Sequence, residues 1–375
     1  MSALRTLFVV PEGRLAPGPR YRVFQYLTRL EALGIQPVVL IVRAEHSTVQ
    51  LLTAARQGRA HRAAHLAVAW LENHRAMAQV VRRVRDFDRV FIYRCPVPAW
   101  ARPALLAHRD RILFDFDDAL DQPELEGGPL QHWRVRVLRQ GMQNAVAVSR
   151  LTITSNRRNA AVVRELGGQV EIIPTSVDVS RAVLRDRTRL STLAPILGWI
   201  GTPTTARYLG QTEDALIRLS VTRPLDVRLI GAGRNPFGRF QPDLRPWSLE
   251  SEFEDVDAFD IGLMPMADTQ WTRGKAALKA LQYGAAGMPT VASWTETNAE
   301  ILGEREGALL CRSTDEWLGA LERLLDNDEF RVELGARARR RVEAGYSLDA
   351  MAPRLYRAIA DPGGQALNAV RPPAV

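Results

Sequence analysis

Of the 50 lysine and arginine residues in this 375-residue chain, only two are lysine, Lys275 and Lys279. Lysine carries a compact ammonium on a flexible stem and arginine a planar fork, so a chain that writes nearly every cation as Arg has kept the point charge for one short stretch. A gap of four places both on one face of a helix. Trp271-Thr272-Arg273-Gly274-Lys275 follows an apolar run over 260–265 and opens a helical pattern over 275–286, which predicts both ammonium groups in a first helical turn. At that end positive charge opposes the helix macrodipole, and like charges four apart repel, each costing about a few tenths of a kcal/mol. A bound anion reverses both signs, because backbone N–H groups at a helix start and two ammonium groups together make a phosphate cradle. The competing reading is a solvated helix face with an accidental pair. Gln282 extends the lysine stripe and Leu278, Leu281 and Ala285 form the adjoining apolar one, so one stripe packs while the other lines a ligand.

Three other segments have the composition for chemistry. Gly231-Ala232-Gly233-Arg234-Asn235-Pro236 follows a strand pattern and imitates a dinucleotide fingerprint, but Pro236 stands where the third glycine belongs. A nicotinamide or flavin site is therefore not expected, and a tight turn against a nucleotide base or ribose is. Phe114-Asp115-Phe116-Asp117-Asp118 ends another strand pattern. Asp117 or Asp118 is expected to face a ligand as an acceptor group or base, against the alternative that one carboxylate caps a helix at 119–121. In Pro17-Gly18-Pro19-Arg20-Tyr21-Arg22, Arg22 is expected in a first helical turn, where with Arg20 it faces an anionic ligand; the alternative is a solvent-facing Arg.

The elements that must position these residues alternate in type. Strand patterns over 6–10, 37–42, 89–94, 111–116, 151–155 and 170–174 are separated by helical segments such as 20–33 and 156–166. A polar, Arg-rich stretch then ends at Pro195, and the alternation restarts with strands over 196–201, 227–231, 260–265, 290–293 and 308–311. This predicts α/β architecture with two tandem Rossmann-like, doubly wound domains facing a cleft. The expected division is a first Rossmann-like domain over 1–178, a linker over 179–195, a second over 196–347, a helix over 348–361 that returns to the first domain, and a flexible tail over 362–375. Ligands in such sheets bind beyond the carboxyl ends of the strands, where Gly201-Thr202, Gly231 and the 268–275 loop all fall.

Composition excludes several classes. With 46% hydrophobic and 25% charged residues the chain reads as globular, and it holds no run approaching the ~18 apolar residues of a membrane span. The apolar stretch near Met1 is too short for a signal-peptide core. Cys95 and Cys311 lie far apart and the six histidines show no metal-ligand spacing, so reduced structural thiols, a cytoplasmic setting and no metal are expected. A net charge of +8 favours acidic partners: nucleotides, an anionic membrane surface or nucleic acid. Nucleic-acid binding lacks a recognisable module. The densest basic segment, Arg56 to Arg85, interleaves Leu66, Val68, Trp70 and Leu71 and reads as a surface helix, either solvated or in peripheral contact with a membrane.

The block Leu281-Gln282-Tyr283-Gly284-Ala285-Ala286-Gly287-Met288-Pro289-Thr290-Val291-Ala292-Ser293 resembles the donor-site helix and strand of family 4 glycosyltransferases, the retaining nucleotide-sugar enzymes of the GT-B fold. Phe259 to Pro265, Leu197 to Thr202, Phe114 to Asp118 and Ile173 to Asp178 are similar to the same family's other landmarks. The resemblance implies a nucleoside diphosphate sugar as donor, no cofactor, and a saccharide, lipid-linked or other small acceptor. It also implies that Gly201, Thr202, Arg207, Gly231, Asp268, Trp271, Gly274 and Gln282 surround the donor, that Lys275 and Lys279 meet its diphosphate, and that Asp117 and Asp118 act on the acceptor. The segment at 115–118 also resembles the Asp-x-Asp signature with which a different class of sugar transferases holds a metal, but it lies in the domain opposite the lysines. Two glutamates usual in the family are replaced by Gly274 and Gln282, which leaves Asp268 or a contact backed by Trp271 as substitutes for the first. The arginine usual after the first donor-domain strand is Thr202, with Arg207 the nearest replacement. This departure keeps open a catalytically silent nucleotide-sugar-binding protein as the alternative to an enzyme.

Overall fold

Runs of Val, Ile, Leu and Phe bounded by Gly, Pro and Asp become short strands buried on both faces, as parallel sheets require. The computed structural model describes residues 3–43, 59–122, 129–182, 184, 195–304 and 306–362. Most of the Arg-rich stretch before Pro195 and the tail beyond Pro362 lie outside the described residues. The chain divides into two compact units, Met1–Thr175 with Met351–Val375, and Ser176–Ala350.

In the first unit β1 (Leu4–Val10), β2 (Ile35–Ile41), β3 (Arg89–Tyr93), β4 (Ile112–Phe116), β5 (Leu151–Thr154) and β6 (Val170–Ile172) form a six-stranded sheet in the order β2-β1-β3-β4-β5-β6. Every pairing is parallel. Leu7, Val9, Val90, Ile92 and Phe114 pack against Met77 and Val80 of the helix Arg59–Arg83 and against Met142 and Val146 of the helix Pro129–Val148. The end of the described chain belongs to this unit: Arg354 donates to the Ile172 carbonyl at 2.7 Å, and Arg89 donates to the carbonyls of Ile359 and Ala360, each at 2.8 Å.

In the second unit β7 (Ile196–Ile200), β8 (Asp226–Ile230), β9 (Asp243–Arg245), β10 (Ile261–Met264), β11 (Thr290–Ser293) and β12 (Ala308–Cys311) form a parallel sheet in the order β12-β11-β10-β7-β8-β9. Each sheet has one place where the direction of winding reverses, between β1 and β3 in the first and between β7 and β10 in the second. Crevices at the carboxyl ends of strands open there.

Three local expectations are corrected. The segment 20–33 is not one helix: Pro17–Arg22 and Leu27–Ala32 are separated by Val23, at φ −128° and ψ −64°, and a 3-10 turn over Phe24–Tyr26. No helix forms over 119–121; the chain turns there, with the Leu120 N–H donated to the Asp118 carbonyl, so no aspartate caps a helix at that place. The pattern over 275–286 yields a 3-10 turn at Thr272–Gly274 and a helix only from Leu278 to Ala285.

Candidate active site

The helix Leu278–Ala285 is fixed by Tyr283. Its ring lies over Gly262 of β10, where a Cβ would come within 2.2 Å of it. Its hydroxyl accepts the Ile200 N–H at 3.2 Å and donates to the Leu263 carbonyl at 3.3 Å, linking β7 to β10 where the winding reverses. Burial pushes this phenol up, so it stays neutral. One turn earlier stands Lys279, half-buried, with its Nζ 5.5 Å from the centroid of the Trp199 ring. Its Cε lies 2.8 Å from where a Cβ on Gly201 would stand. Gly231 adopts φ +75°, and a Cβ there would approach the Gly201 carbonyl oxygen to 2.3 Å, so only glycine fits this corner. The structure thus brings Gly201, Gly231 and Lys279 together.

Lys275 is not on the helix. It sits in extended backbone at φ −79° and ψ 155°, with its Nζ 4.6 Å from the Trp271 ring centroid, a cation–π distance. Ala277, between the lysines, takes the left-handed conformation at φ 51° and ψ 28°. The expected stripe of Lys275, Lys279 and Gln282 therefore keeps only its last two members, because the chain kinks before the helix begins. Gln282 is buried and donates its amide N–H to Glu252 Oε1 at 2.7 Å. Sequence reasoning missed Glu252, a buried carboxylate thirty positions away (282 − 252 = 30) with no motif to connect it to the helix. It also missed Trp247, whose Cβ lies 3.2 Å from a Cβ built on Gly231.

The remaining residues expected around a donor are held by their own surroundings. Asp268 and Arg273 form a two-pronged pair at 2.8 and 2.9 Å within one loop, and the guanidinium holds the carboxyl below the usual range. Asp268 is thus not a clean replacement for the carboxylate that Gly274 lacks. Gly274 itself is buried at the end of the 3-10 turn. The Thr202 N–H is accepted by Thr205 Oγ1 at 3.4 Å as the helix Pro203–Ala206 begins. Arg207 donates to the Tyr208 hydroxyl at 3.1 Å and lies over that ring.

In the first unit a second charged cluster gathers at the ends of β3 and β4. Arg22 Nη2 lies 2.8 Å from both Asp115 oxygens, and Nη1 donates to the Ile173 carbonyl at 2.7 Å. Both side chains are buried, at 2% and 1% exposure. Burial pushes the Asp115 carboxyl up to about 6 despite this partner. Arg22 is thus not in a first helical turn: the helix breaks at Val23, which leaves Arg22 at the favourable C-terminal end of Pro17–Arg22 with its guanidinium on Asp115. Arg20 is also buried rather than facing solvent, and donates to the Arg14 carbonyl at 3.3 Å. Asp117 accepts from the Tyr93 hydroxyl at 2.7 Å, and Asp118 pairs with Arg94 at 2.7 Å. Arg94, also 3.6 Å from Asp117, adopts φ 52°, a strained backbone for a residue with a Cβ. Burial alone would lower this guanidinium, but Asp118, Tyr93 and Asp117 raise it well above its ordinary value. No spacing pointed to Arg94; its signal is the left-handed backbone, which sequence does not display.

Residues 258–357, which include Lys275, Lys279 and Gln282, match the family model described as glycosyl transferase-like. Solved structures extend the likeness to nearly the whole chain. Sucrose-phosphate synthase from Thermosynechococcus elongatus superposes with a TM-score of 0.64 at 14% identity, covering 95% of this chain and 99% of that one. WaaG, a glycosyltransferase involved in lipopolysaccharide biosynthesis, gives 0.63 at 13% identity over 96% and 100% of the two chains. The chain thus shares the GT-B fold, and the glycosyl transferase-like match is confined to residues 258–357. Anabaena HepE in complex with UDP-glucose is a further GT-B neighbour, with a TM-score of 0.63 at 11% identity over 95% of this chain and 99% of that one. A sequence search of curated proteins found no match. Glu252, Gly201, Gly231 and the Arg94 cluster lie outside the residues that the glycosyltransferase-like model matches.

Proposed function

We propose that the protein is a retaining, metal-independent glycosyltransferase that moves a hexose from a nucleoside diphosphate sugar to a hydroxyl of a saccharide, lipid-linked or other small acceptor. The second unit would hold the donor and the first would orient the acceptor. The observation that carries this reading is the corner where Gly201 and Gly231, at the ends of β7 and β8, meet Lys279, which lies within the glycosyltransferase-like match over 258–357. When the bond from the anomeric carbon to the diphosphate breaks, negative charge gathers on the leaving oxygens, and Lys275, Lys279 and nearby N–H groups stabilise it. The acceptor oxygen bonds to the anomeric carbon from the same face, and its proton passes to the departing β-phosphate oxygen. Gln282, its amide held by Glu252, is set to hydrogen-bond ribose hydroxyls. Asp117 and Asp118 orient the acceptor hydroxyl. A divalent cation at the aspartates would have to compete with Arg22, Arg94 and Tyr93, which supports a metal-free reaction.

The pairing of Asp268 with Arg273 favours a second reading, a nucleotide-sugar-binding regulatory or scaffold protein without turnover. A thermal-shift screen with UDP, GDP, ADP and their sugars tests the donor site, since ligand at 100 times its Kd stabilises a fold by ~2.7 kcal/mol. UDP-glucose, seen bound to HepE, is the first sugar to try. Slow donor hydrolysis without acceptor supports the enzyme; nucleotide stabilisation with no hydrolysis supports the silent reading, and no nucleotide response overturns both.

A further inference from the structure

The first unit carries an exposed aromatic face that neither charged cluster uses. The helix Arg59–Arg83 buries Ala76, Met77 and Val80 and leaves Val68, Trp70 and Leu71 at 49%, 45% and 42% exposure. Beside it the 3-10 turn Ala99–Ala101 exposes Trp100 to 48%. The His74 ring lies between the two indoles, 3.8 Å from the Trp70 centroid and 6.2 Å from that of Trp100. Asn73 donates to the Pro96 carbonyl at 2.9 Å, which ties the helix to the segment that presents Trp100. Two indoles held half in water by a fixed frame mark an interaction surface.

Charge identifies the occupant. The helix sequence holds five arginines and a single acid, Glu72, and that acid lies 3.7 Å from Arg43. Arg75 and Arg82 are exposed on the same outward stripe as Leu71. Arginine flanking tryptophan and leucine is the composition that lies in a lipid headgroup region, with indoles at the acyl boundary and cations against anionic phosphates. We propose that this face of the first unit docks on an anionic bilayer surface. The proposal does not rest on the donor site, and no helix among the described residues is long and apolar enough to cross a membrane.

Sedimentation of the full chain with vesicles of phosphatidylcholine alone, or with about a third phosphatidylglycerol, tests it. Binding is expected to the anionic vesicles, to weaken with salt, and to fall at least about tenfold in Trp70→Ser/Trp100→Ser and in Arg75→Glu/Arg82→Glu. Nucleoside diphosphate binding by these variants should match the wild type, which separates loss of docking from misfolding and from failure of the donor reading. Equal binding to both vesicle types, or variants that sediment like the wild type, would overturn the proposal. So would a face occupied instead by a second copy of the chain or by an oligonucleotide, with no vesicle binding.

Discussion

A guanidinium in place of the Lys279 ammonium would have to fit beside the Trp199 ring and Gly201, where the lysine Cε already stands 2.8 Å from a Cβ position. The two lysines therefore make a testable pair. Lys275→Ala and Lys279→Ala should each weaken nucleoside diphosphate binding by ~1.5–3 kcal/mol, the range of a charge-assisted bond, with little loss of fold stability. Lys279→Arg should be impaired too, because the planar fork cannot occupy the space of a point donor. Isothermal titration with the diphosphate decides it; wild-type affinity in both alanine variants would remove the phosphate cradle. The Glu252–Gln282 bond carries a related expectation. Glu252→Gln keeps the shape but removes the obligatory acceptor, so Gln282 can turn its amide, and donor affinity should fall about tenfold while diphosphate affinity without the sugar falls equally, since the ribose is common to both.

At the scale of elements, the closing helix offers a test whose sign follows from burial. Burial pushes the Glu171 carboxyl on β6 up to about 7, against Arg354, whose Nη2 lies 3.8 Å away. Because the folded value exceeds the ordinary glutamate value of 4.5, this group favours the fold below about pH 4.5 and loses that contribution as pH rises through about 7. Glu171→Gln should thus match the wild type near pH 4.5 and exceed it at pH 8 by about 1–2 kcal/mol after allowance for solvent screening. Thermal melts at the two pH values measure this, and a less stable variant at pH 8 would mean that the pull of Arg354 outweighs burial. Elements of this kind were legible in the sequence to different degrees. The buried strands announced themselves through apolar runs between turn residues, whereas β9 is three residues of Asp-Leu-Arg at an edge, with no core face to impose a pattern. The donor helix was legible as periodicity, but its start was misplaced because the break at Ala277 comes from a non-glycine residue in left-handed backbone. Lys279, Gly201 and Gly231 could be named from composition and strand ends. Glu252, Trp247 and Arg94 could not, since each reaches its site through the fold and not through spacing.

For the whole molecule, the central issue is which unit carries which part of the reaction. The carboxylates of the first unit are engaged by Arg22, Arg94 and the Tyr93 hydroxyl, and in the second Lys279 stands beside Gly201 at the end of β7. A metal-dependent enzyme would need its carboxylates beside the diphosphate, whereas in the proposed reaction the lysines and backbone N–H groups supply positive charge there. Activity should therefore be unchanged in EDTA. Asp117→Asn retains an oxygen for the Tyr93 hydroxyl but removes the charge that orients an acceptor, so kcat should fall by at least about tenfold with donor affinity unchanged. Asp118→Asn should show the same split together with some loss of stability, because it leaves Arg94, in a strained backbone, without its closest counter-charge. Activity lost on chelation and restored by Mn²⁺ or Mg²⁺ would mean that the aspartates exchange their arginine partners for a cation during turnover. The assignment of donor and acceptor to the two units would then have to be reversed.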